Sequence, residues 1–430
     1  MVERAATWQV PGLPAPAVTG APMRKNLATS GWRAAGYRSV SPVIFKTLAV
    51  LFSGLEAGSI RVVLPGGHAH TFAGRRPGPA AELHIHTSNF VWRTLRRGTI
   101  GFAEGYFRDE CDTPDLGELF RFFVLNKPAL KAAGRGQFKV RRADTLFHRG
   151  RSNTLEMSPE NISFHYDLGN DFYSRWLDET MTYSSAYFTG TGQSLADAQV
   201  AKYNRIMNGL SCDGRPSILE IGCGWGGFAE TASKRGADVL GLTLSREQLN
   251  YANARLQSAD LGERSTCVLR DYREANGSYD AIVSIEMIEA VGAEHWGQYF
   301  STVRDRLKPG GRAGIQAITI SDELYPTYSS SPDFIQRYIF PGGMLPTVSA
   351  LRDEAAKAGL RLLSAEHFAD SYARTLWLWR SRFRSAWRDI EQMGFDRRFF
   401  RMWDYYLTYC AVGFEQRTID VGIYAYEKPA

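Results

Sequence analysis

Apolar and polar positions follow two periods along this chain. Pro42-Val-Ile-Phe-Lys-Thr-Leu-Ala-Val-Leu-Phe52 has helical spacing, as do residues 89–95 and 116–124. Gly58 to Leu64 and Ala81 to His86 alternate like strands. Together these predict a small α+β region over 36–130. Residues 1–35 read as a loosely packed leader, and the Gly- and basic-rich stretch 131–154 as a linker. From about 155 to 430 strands and helices take turns. Strands are predicted at 217–219, 239–243, 266–270, 279–285 and 312–319, with helices starting near Ala229 and spanning 245–259 and 297–307. Ser245 with Gln248 three residues on reads as a capping box. Such alternation predicts an α/β, doubly wound, mostly parallel sheet.

The turn after the first of those strands is Glu220-Ile-Gly-Cys-Gly-Trp-Gly-Gly-Phe228. Glycines between strand and helix let a ligand approach the backbone, because no Cβ stands in the way. The pattern is Glu-x-Gly-x-Gly-x-Gly, not the dinucleotide Gly-x-Gly-x-x-Gly. An acidic residue beside a bare turn suits a zwitterion such as S-adenosylmethionine. The plainer reading is an ordinary tight turn.

Composition narrows the picture a little. Hydrophobic residues are 44% and charged residues 22%, ordinary for a folded protein, and aromatics reach 13%. The net charge of +6 suits an anionic membrane surface as well as mere solubility. No dense basic run with interleaved aromatics marks a nucleic-acid module; the patch 139–151 reads as solvated or membrane-facing. Five scattered cysteines (111, 212, 223, 267, 410) form no CxxC and predict free thiols, with neither disulfides nor zinc. His84 and His86 share a strand face but lack a third ligand, so no metal is expected. No run is long enough to span a bilayer and the start has no secretory pattern, so the expectation is a cytoplasmic protein with peripheral membrane contact.

Ligands of doubly wound sheets bind at the carboxyl ends of strands, near the switch point. Thr243 and Gln248 stand where a ribose is held, and Asp271-Tyr272-Arg273 where an adenine lies. The fourth strand runs into Glu286-Met-Ile-Glu289, two carboxylates three apart, read as sharing one face of a helical turn or as a solvated pair. Gln316 and Ile318 point to one side of the next strand. Trp225 either covers a ligand or packs.

At this point the residues resemble a known family. His165-Tyr-Asp-Leu-Gly-Asn-Asp171, Met181-Thr-Tyr-Ser-Ser-Ala-Tyr-Phe188, the glycine turn, Gly241-Leu-Thr-Leu-Ser245, Ile288-Glu-Ala-Val-Gly292, Phe340-Pro-Gly-Gly343, Tyr372-Ala-Arg-Thr-Leu376 and Trp403-Asp-Tyr-Tyr-Leu-Thr-Tyr-Cys410 are similar, in order, to the cyclopropane-fatty-acyl-phospholipid synthases. The likeness covers about 155–430. It continues more weakly through Trp92 to Tyr106, like that family's extra N-terminal domain.

The resemblance implies a class I S-adenosylmethionine methyltransferase fold and an enzyme that methylates double bonds of membrane lipid acyl chains. It implies that Tyr166, Tyr183 and Ser184 touch the methionine part of the cofactor. Glu220, Gly222, Gly224, Trp225 and Gly226 would form the cofactor turn, with Thr243, Gln248, Tyr272 and Arg273 beyond it. The family also holds a bicarbonate base on a Cys, a Glu, a His, an Ile and a Tyr. The matching positions here are Ser185, Glu289, Gln316, Ile318 and Tyr372, so the Cys and the His are replaced. Cys410 falls where a catalytic thiol has been proposed, though a structural Cys is the plainer reading. The expected partner is a phospholipid membrane surface, not nucleic acid, at the inner face of the membrane, and a homodimer is left open.

Attack of an alkene on a sulfonium methyl leaves a carbocation that aromatic faces stabilise by about 2 kcal/mol or more when desolvated. Tyr187, Phe188, Tyr338, Trp377 and Trp379 are the candidates. Closing a cyclopropane then requires a base near the new methyl. Four readings follow. The first is ring formation. The second, suggested by the altered base positions, is methylation without ring closure. The third is a small-molecule methyltransferase, against which the N-terminal region argues. The fourth is a silent lipid- or cofactor-binding protein.

Overall fold

A computed structural model describes residues 42–133, 168–212 and 214–430. The chain divides into two compact units, Met1–Lys139 and Val140–Ala430. Tyr166, the whole leader 1–35, and the linker beyond residue 133 with its basic patch 139–151 lie outside the described residues.

The first unit carries a four-stranded sheet in the order β2-β1-β3-β4, where β1 is Ala57–Val63, β2 Ala69–Ala73, β3 Arg76–Ile85 and β4 Cys111–Asp112. β1 runs parallel to β3 and antiparallel to β2. Ile60, Val62, Leu83 and Ile85 alternate into the core, where Phe52 meets Phe122 of the helix Leu116–Leu125. The first predicted helix is Pro42–Phe52. The helical reading of 89–95 was too short: the helix runs Ser88–Phe107 with a break at Gly98. Its glycines mask it in the sequence, yet packing demands them. A Cβ on Gly105 would sit 2.5 Å from the Phe90 ring. His84 meets Glu82 across 2.5 Å, and His86 Nδ1 lies 2.9 Å from the Asp109 carbonyl.

The second unit is built on a seven-stranded sheet ordered β10-β11-β9-β8-β5-β6-β7. β5 is Ser217–Ile221, β6 Asp238–Thr243, β7 Thr266–Leu269, β8 Tyr279–Ile285, β9 Leu307–Ile320, β10 Arg361–His367 and β11 Ile419–Glu427. β5 to β9 pair in parallel, and only β11 runs against its neighbours. The breaker Lys308-Pro-Gly-Gly311, expected to separate a helix from a strand, lies inside β9. Leu307 already pairs with Tyr279, and an irregularity absorbs the glycines. Apolar residues of β5, β8 and β9 (Leu219, Ile282, Ile315) pack with Tyr299, Phe300 and Val303 of the helix Trp296–Arg306. From β5 the chain moves outward to β7, then returns to place β8 on the other side of β5. The crevice above the ends of β5 and β8 is therefore the switch point. Among the described residues no helix is long and apolar enough to cross a membrane.

Candidate active site

The glycine turn caps β5. Gly222, Gly224 and Gly226 all have positive φ (82°, 52° and 81°), which glycine adopts without strain. Gly222 and Cys223 donate their N–H groups to the Leu242 carbonyl, which pins the turn to β6. A Cβ on Gly222 would strike the Met287 side chain at 2.3 Å, whereas one on Gly224 would meet nothing within 4 Å. The space over Gly224 is thus open to a ligand. Glu220, at the strand end, is buried, and burial pushes its carboxyl well above the ordinary range. Among the described residues its Oε2 has no partner. An open cradle beside a buried, unpaired carboxylate oxygen fits a ligand that brings an ammonium group, as S-adenosylmethionine does.

The other residues expected around the cofactor are brought to this end of the sheet, several of them already engaged. Trp225 packs rather than covers: its ring lies 5.1 Å from that of Tyr173, and its Nε1 donates to Asn170 Oδ1. The Tyr183 hydroxyl meets that of Tyr406 at 2.8 Å. Thr243 Oγ1 donates to Gln248 Oε1 and accepts from the Ser245 N–H. Ser245 caps the helix Arg246–Ser258 through the Gln248 N–H. Only half of the expected capping box exists, because the Gln248 side chain turns to Thr243 instead. Arg273 grips Asp271 through Nε and Nη2 at 2.8 and 2.6 Å, and the buried Tyr272 hydroxyl has no partner.

The carboxylates after β8 do not sit as the sequence suggested. Glu286 is not on a helical turn. It ends the strand with φ +53°, a left-handed conformation that costs a non-glycine residue about 1–2 kcal/mol. The turn Ile288–Ala290 holds only Glu289. Glu286 Oε1 accepts from the Ser185 N–H (2.8 Å) and from Gln316 Nε2 (2.7 Å), and its Oε2 accepts from the Tyr372 hydroxyl (2.6 Å). Glu289 Oε1 takes the Ile318 N–H at 2.5 Å, while its Oε2 has no partner.

Three of the positions matched to a bicarbonate site therefore converge on a carboxylate of the chain itself. Their donors are already used, so these residues do not fit a bicarbonate ion. Ser185 contributes its backbone N–H; its Oγ donates to the Ala186 carbonyl. Glu286 and Glu289 keep some accessible surface although protein encloses them, as side chains lining an internal hollow do. Burial raises the Glu286 carboxyl, opposed chiefly by Tyr372 and the Ser185 N–H. Burial, and then the Glu286 charge, push Glu289 up to about 8.

The wall is aromatic. Trp379 is fully buried against Tyr183 and Tyr372 (5.3 and 6.2 Å between ring centroids). Tyr338 is buried as well. Phe188 is a poor candidate for a lipid cation, because Arg374 already covers its face at 3.9 Å. Tyr187 donates to Glu366, and Trp377 to Glu415. Cys410 is half-buried near Tyr372 and Tyr406, and burial raises its thiol, which leaves no thiolate nucleophile at neutral pH. Two residues were missed entirely. Gln199 and Lys202 lie buried on the helix Leu195–Leu210 and hold Ser184. The available signal was a polar pair three apart on an otherwise apolar helix face.

Comparison with known proteins shows the family of the chain. A family model described as mycolic acid cyclopropane synthetase matches residues 153–423. The tuberculostearic acid methyltransferase UfaA1 of Mycobacterium tuberculosis is 37% identical over 372 residues, which is 84% of this chain and 86% of that protein. The cyclopropane-fatty-acyl-phospholipid synthase of Escherichia coli is 33% identical over 352 residues, 79% of this chain and 86% of its own. The solved structure of the mycolic acid cyclopropane synthase CmaA1, complexed with SAH and CTAB, superposes with a TM-score of 0.60 at 29% identity, covering 63% of this chain and 98% of that one.

Proposed function

The chain belongs to the mycolic acid cyclopropane synthetase family, and from that premise we propose that it methylates the double bond of an unsaturated acyl chain in a membrane phospholipid, with Glu286 as proton acceptor. It is an S-adenosylmethionine-dependent methyltransferase of the class I fold that modifies lipid acyl chains. The bound cofactor supplies an electrophilic methyl group. The π electrons of the alkene form the new C–C bond, and the neighbouring chain carbon is left cationic. Tyr183 and Tyr372, packed against the buried Trp379, offer aromatic faces of the kind that stabilise such a cation. A proton must then leave the new methyl group, and its C–H electron pair closes the three-membered ring.

The observation that carries this reading is the Glu286 carboxylate, fixed by three donors beside the glycine turn. Glu289 was expected to help hold a bicarbonate base. With its carboxyl near 8 it is mostly protonated at neutral pH, and it supports the site as a neutral neighbour. A second reading is favoured by the same observation. An internal carboxylate stands among residues matched to the family's anion site, and one relative is named a methyltransferase of a fatty acid rather than a cyclopropane synthase. If a 1,2-hydride shift precedes proton loss, the product is a methylene branch instead of a ring.

The test is incubation with methyl-labelled cofactor and vesicles of mono-unsaturated phospholipid, followed by NMR of the lipid. Label in the acyl chain with a high-field ring proton supports ring closure, and olefinic methylene protons support the branch. No label in the lipid overturns both. Glu286→Gln is expected to lower turnover by about 100-fold or more, the usual contribution of a general base, while cofactor affinity stays within about threefold. Equal losses of both would remove Glu286 from the chemistry.

A further inference from the structure

Beside the site lies a lysine that the proposed chemistry has not used. Lys202 is fully buried, on the face of the helix Leu195–Leu210 turned to the interior. An ammonium out of water costs several kcal/mol unless something compensates. Among the described residues its Nζ touches two neutral oxygens, Ser184 Oγ at 2.6 Å and Gln199 Oε1 at 2.7 Å, and no carboxylate directly. Gln199 in turn donates its Nε2 to the Ser184 carbonyl at 2.9 Å. Ser184 is thus held at both its hydroxyl and its carbonyl by one helix. The next residue is Ser185, whose N–H grips Glu286.

The acids that face Lys202 come from three different segments. They are Asp178, Glu220 at the end of β5, and Glu286 after β8. Its own helix brings Gln199 and the Tyr203 ring, 4.6 Å away, to the ammonium, and no acid. Burial pulls the ammonium down to about 7, and Glu286 is the first of the acids that hold it up. The attraction is mutual: burial raises the Glu286 carboxyl, and Lys202 is among the groups that pull it back down.

We propose that Lys202 is the positioning residue of the proton-accepting site: it fixes the Ser184–Ser185 segment against Glu286 and supplies the positive charge that keeps this carboxylate ionised in an apolar hollow. The inference rests on the reading of Glu286 as proton acceptor. It also explains how a carboxylate enclosed beside a lipid chain stays basic instead of simply protonating. One limb in the pH–rate profile follows, an acidic one as Glu286 protonates, and it lies at higher pH when residue 202 carries no charge.

The experiment is a ¹³C NMR titration of the Glu286 carboxyl, assigned with Glu286→Gln, in the full chain and in Lys202→Met. The rate with unsaturated phospholipid vesicles is followed over the same pH range. Removing the charge is expected to raise the Glu286 midpoint by about 1 pH unit and to move the acidic limb with it, while cofactor affinity stays within about threefold. Lys202→Gln keeps a donor for Ser184 without the charge and is expected to give the same shift, which preserves the test if the methionine variant folds poorly. A Glu286 midpoint unchanged by either substitution overturns the proposal whatever the rates do. A shifted midpoint with an unchanged rate leaves Lys202 in its role and removes Glu286 from the chemistry instead.

Discussion

Glu286 concentrates the physics of this site in one residue. Its backbone is left-handed, its carboxylate has three donors, and its surroundings oppose its charge. Strain of this kind persists only where neighbours over-determine it, and it gathers at functional sites. Glu289, close by, carries a separate consequence for stability. Its carboxyl lies near 8 in the folded chain and near 4.3 unfolded. Between those values the unfolded chain binds fewer protons, so stability is lost as pH rises through that window, by up to about 1.4 kcal/mol per unit. Glu289→Gln removes this dependence. Melting curves from pH 5 to 8 should therefore show the parent falling relative to the variant, and parallel behaviour would refute the assignment. The sequence put the right residues in the right neighbourhood, because strand ends and family motifs are local signals. It could not rank Glu286 over Glu289, since that depends on a left-handed φ and on donors from residues 185, 316 and 372, which are far apart in the chain.

At the level of elements, the site depends on a loop and a helix that face each other. The loop 183–188 has no regular structure, yet three of its N–H groups are satisfied by side chains and that of Tyr187 by the Ala198 carbonyl. Thr375 accepts from Ala186, Ser371 from Phe188 and Glu286 from Ser185. Ser371, Tyr372 and Thr375 all belong to the helix Ala369–Ser385, so one helix both anchors the loop and supplies a donor to the carboxylate. Thr375→Val keeps the shape but leaves a buried N–H unpaired. The expected loss is about 1–3 kcal/mol of unfolding free energy in denaturant titration, with a turnover decrease larger than any change in cofactor affinity. A variant as stable and active as the parent would show that the anchor is dispensable. The strands β5 to β8 were legible from period alone because each is a short apolar run bounded by turn signals. β10, β11 and the helices between β9 and β11 were not assigned element by element. The helix Ser88–Phe107 was cut short because its glycines imitate loop composition while serving close packing.

The whole molecule combines a net charge of +6 with a hollow lined by aromatics and an expected substrate embedded in a membrane. Electrostatic attraction to anionic lipid acts over a Debye length, about 10 Å at 0.1 M salt and about 3 Å at 1 M. Turnover on vesicles rich in anionic phospholipid should fall as salt rises, while turnover on detergent-dispersed lipid should not. An equal salt response in both would argue against a charged membrane surface as the partner.

The central claim is that a carboxylate of the chain occupies the place where relatives are expected to hold a free anion. Glu286→Gly tests it most directly, since glycine accepts φ +53° freely and leaves Ser185, Gln316 and Tyr372 with vacant donors. The account predicts a folded, cofactor-binding, inactive variant whose turnover returns when millimolar formate or bicarbonate is added. Full activity without any added anion, or inactivity that no small carboxylate relieves in a folded, cofactor-binding variant, would contradict it.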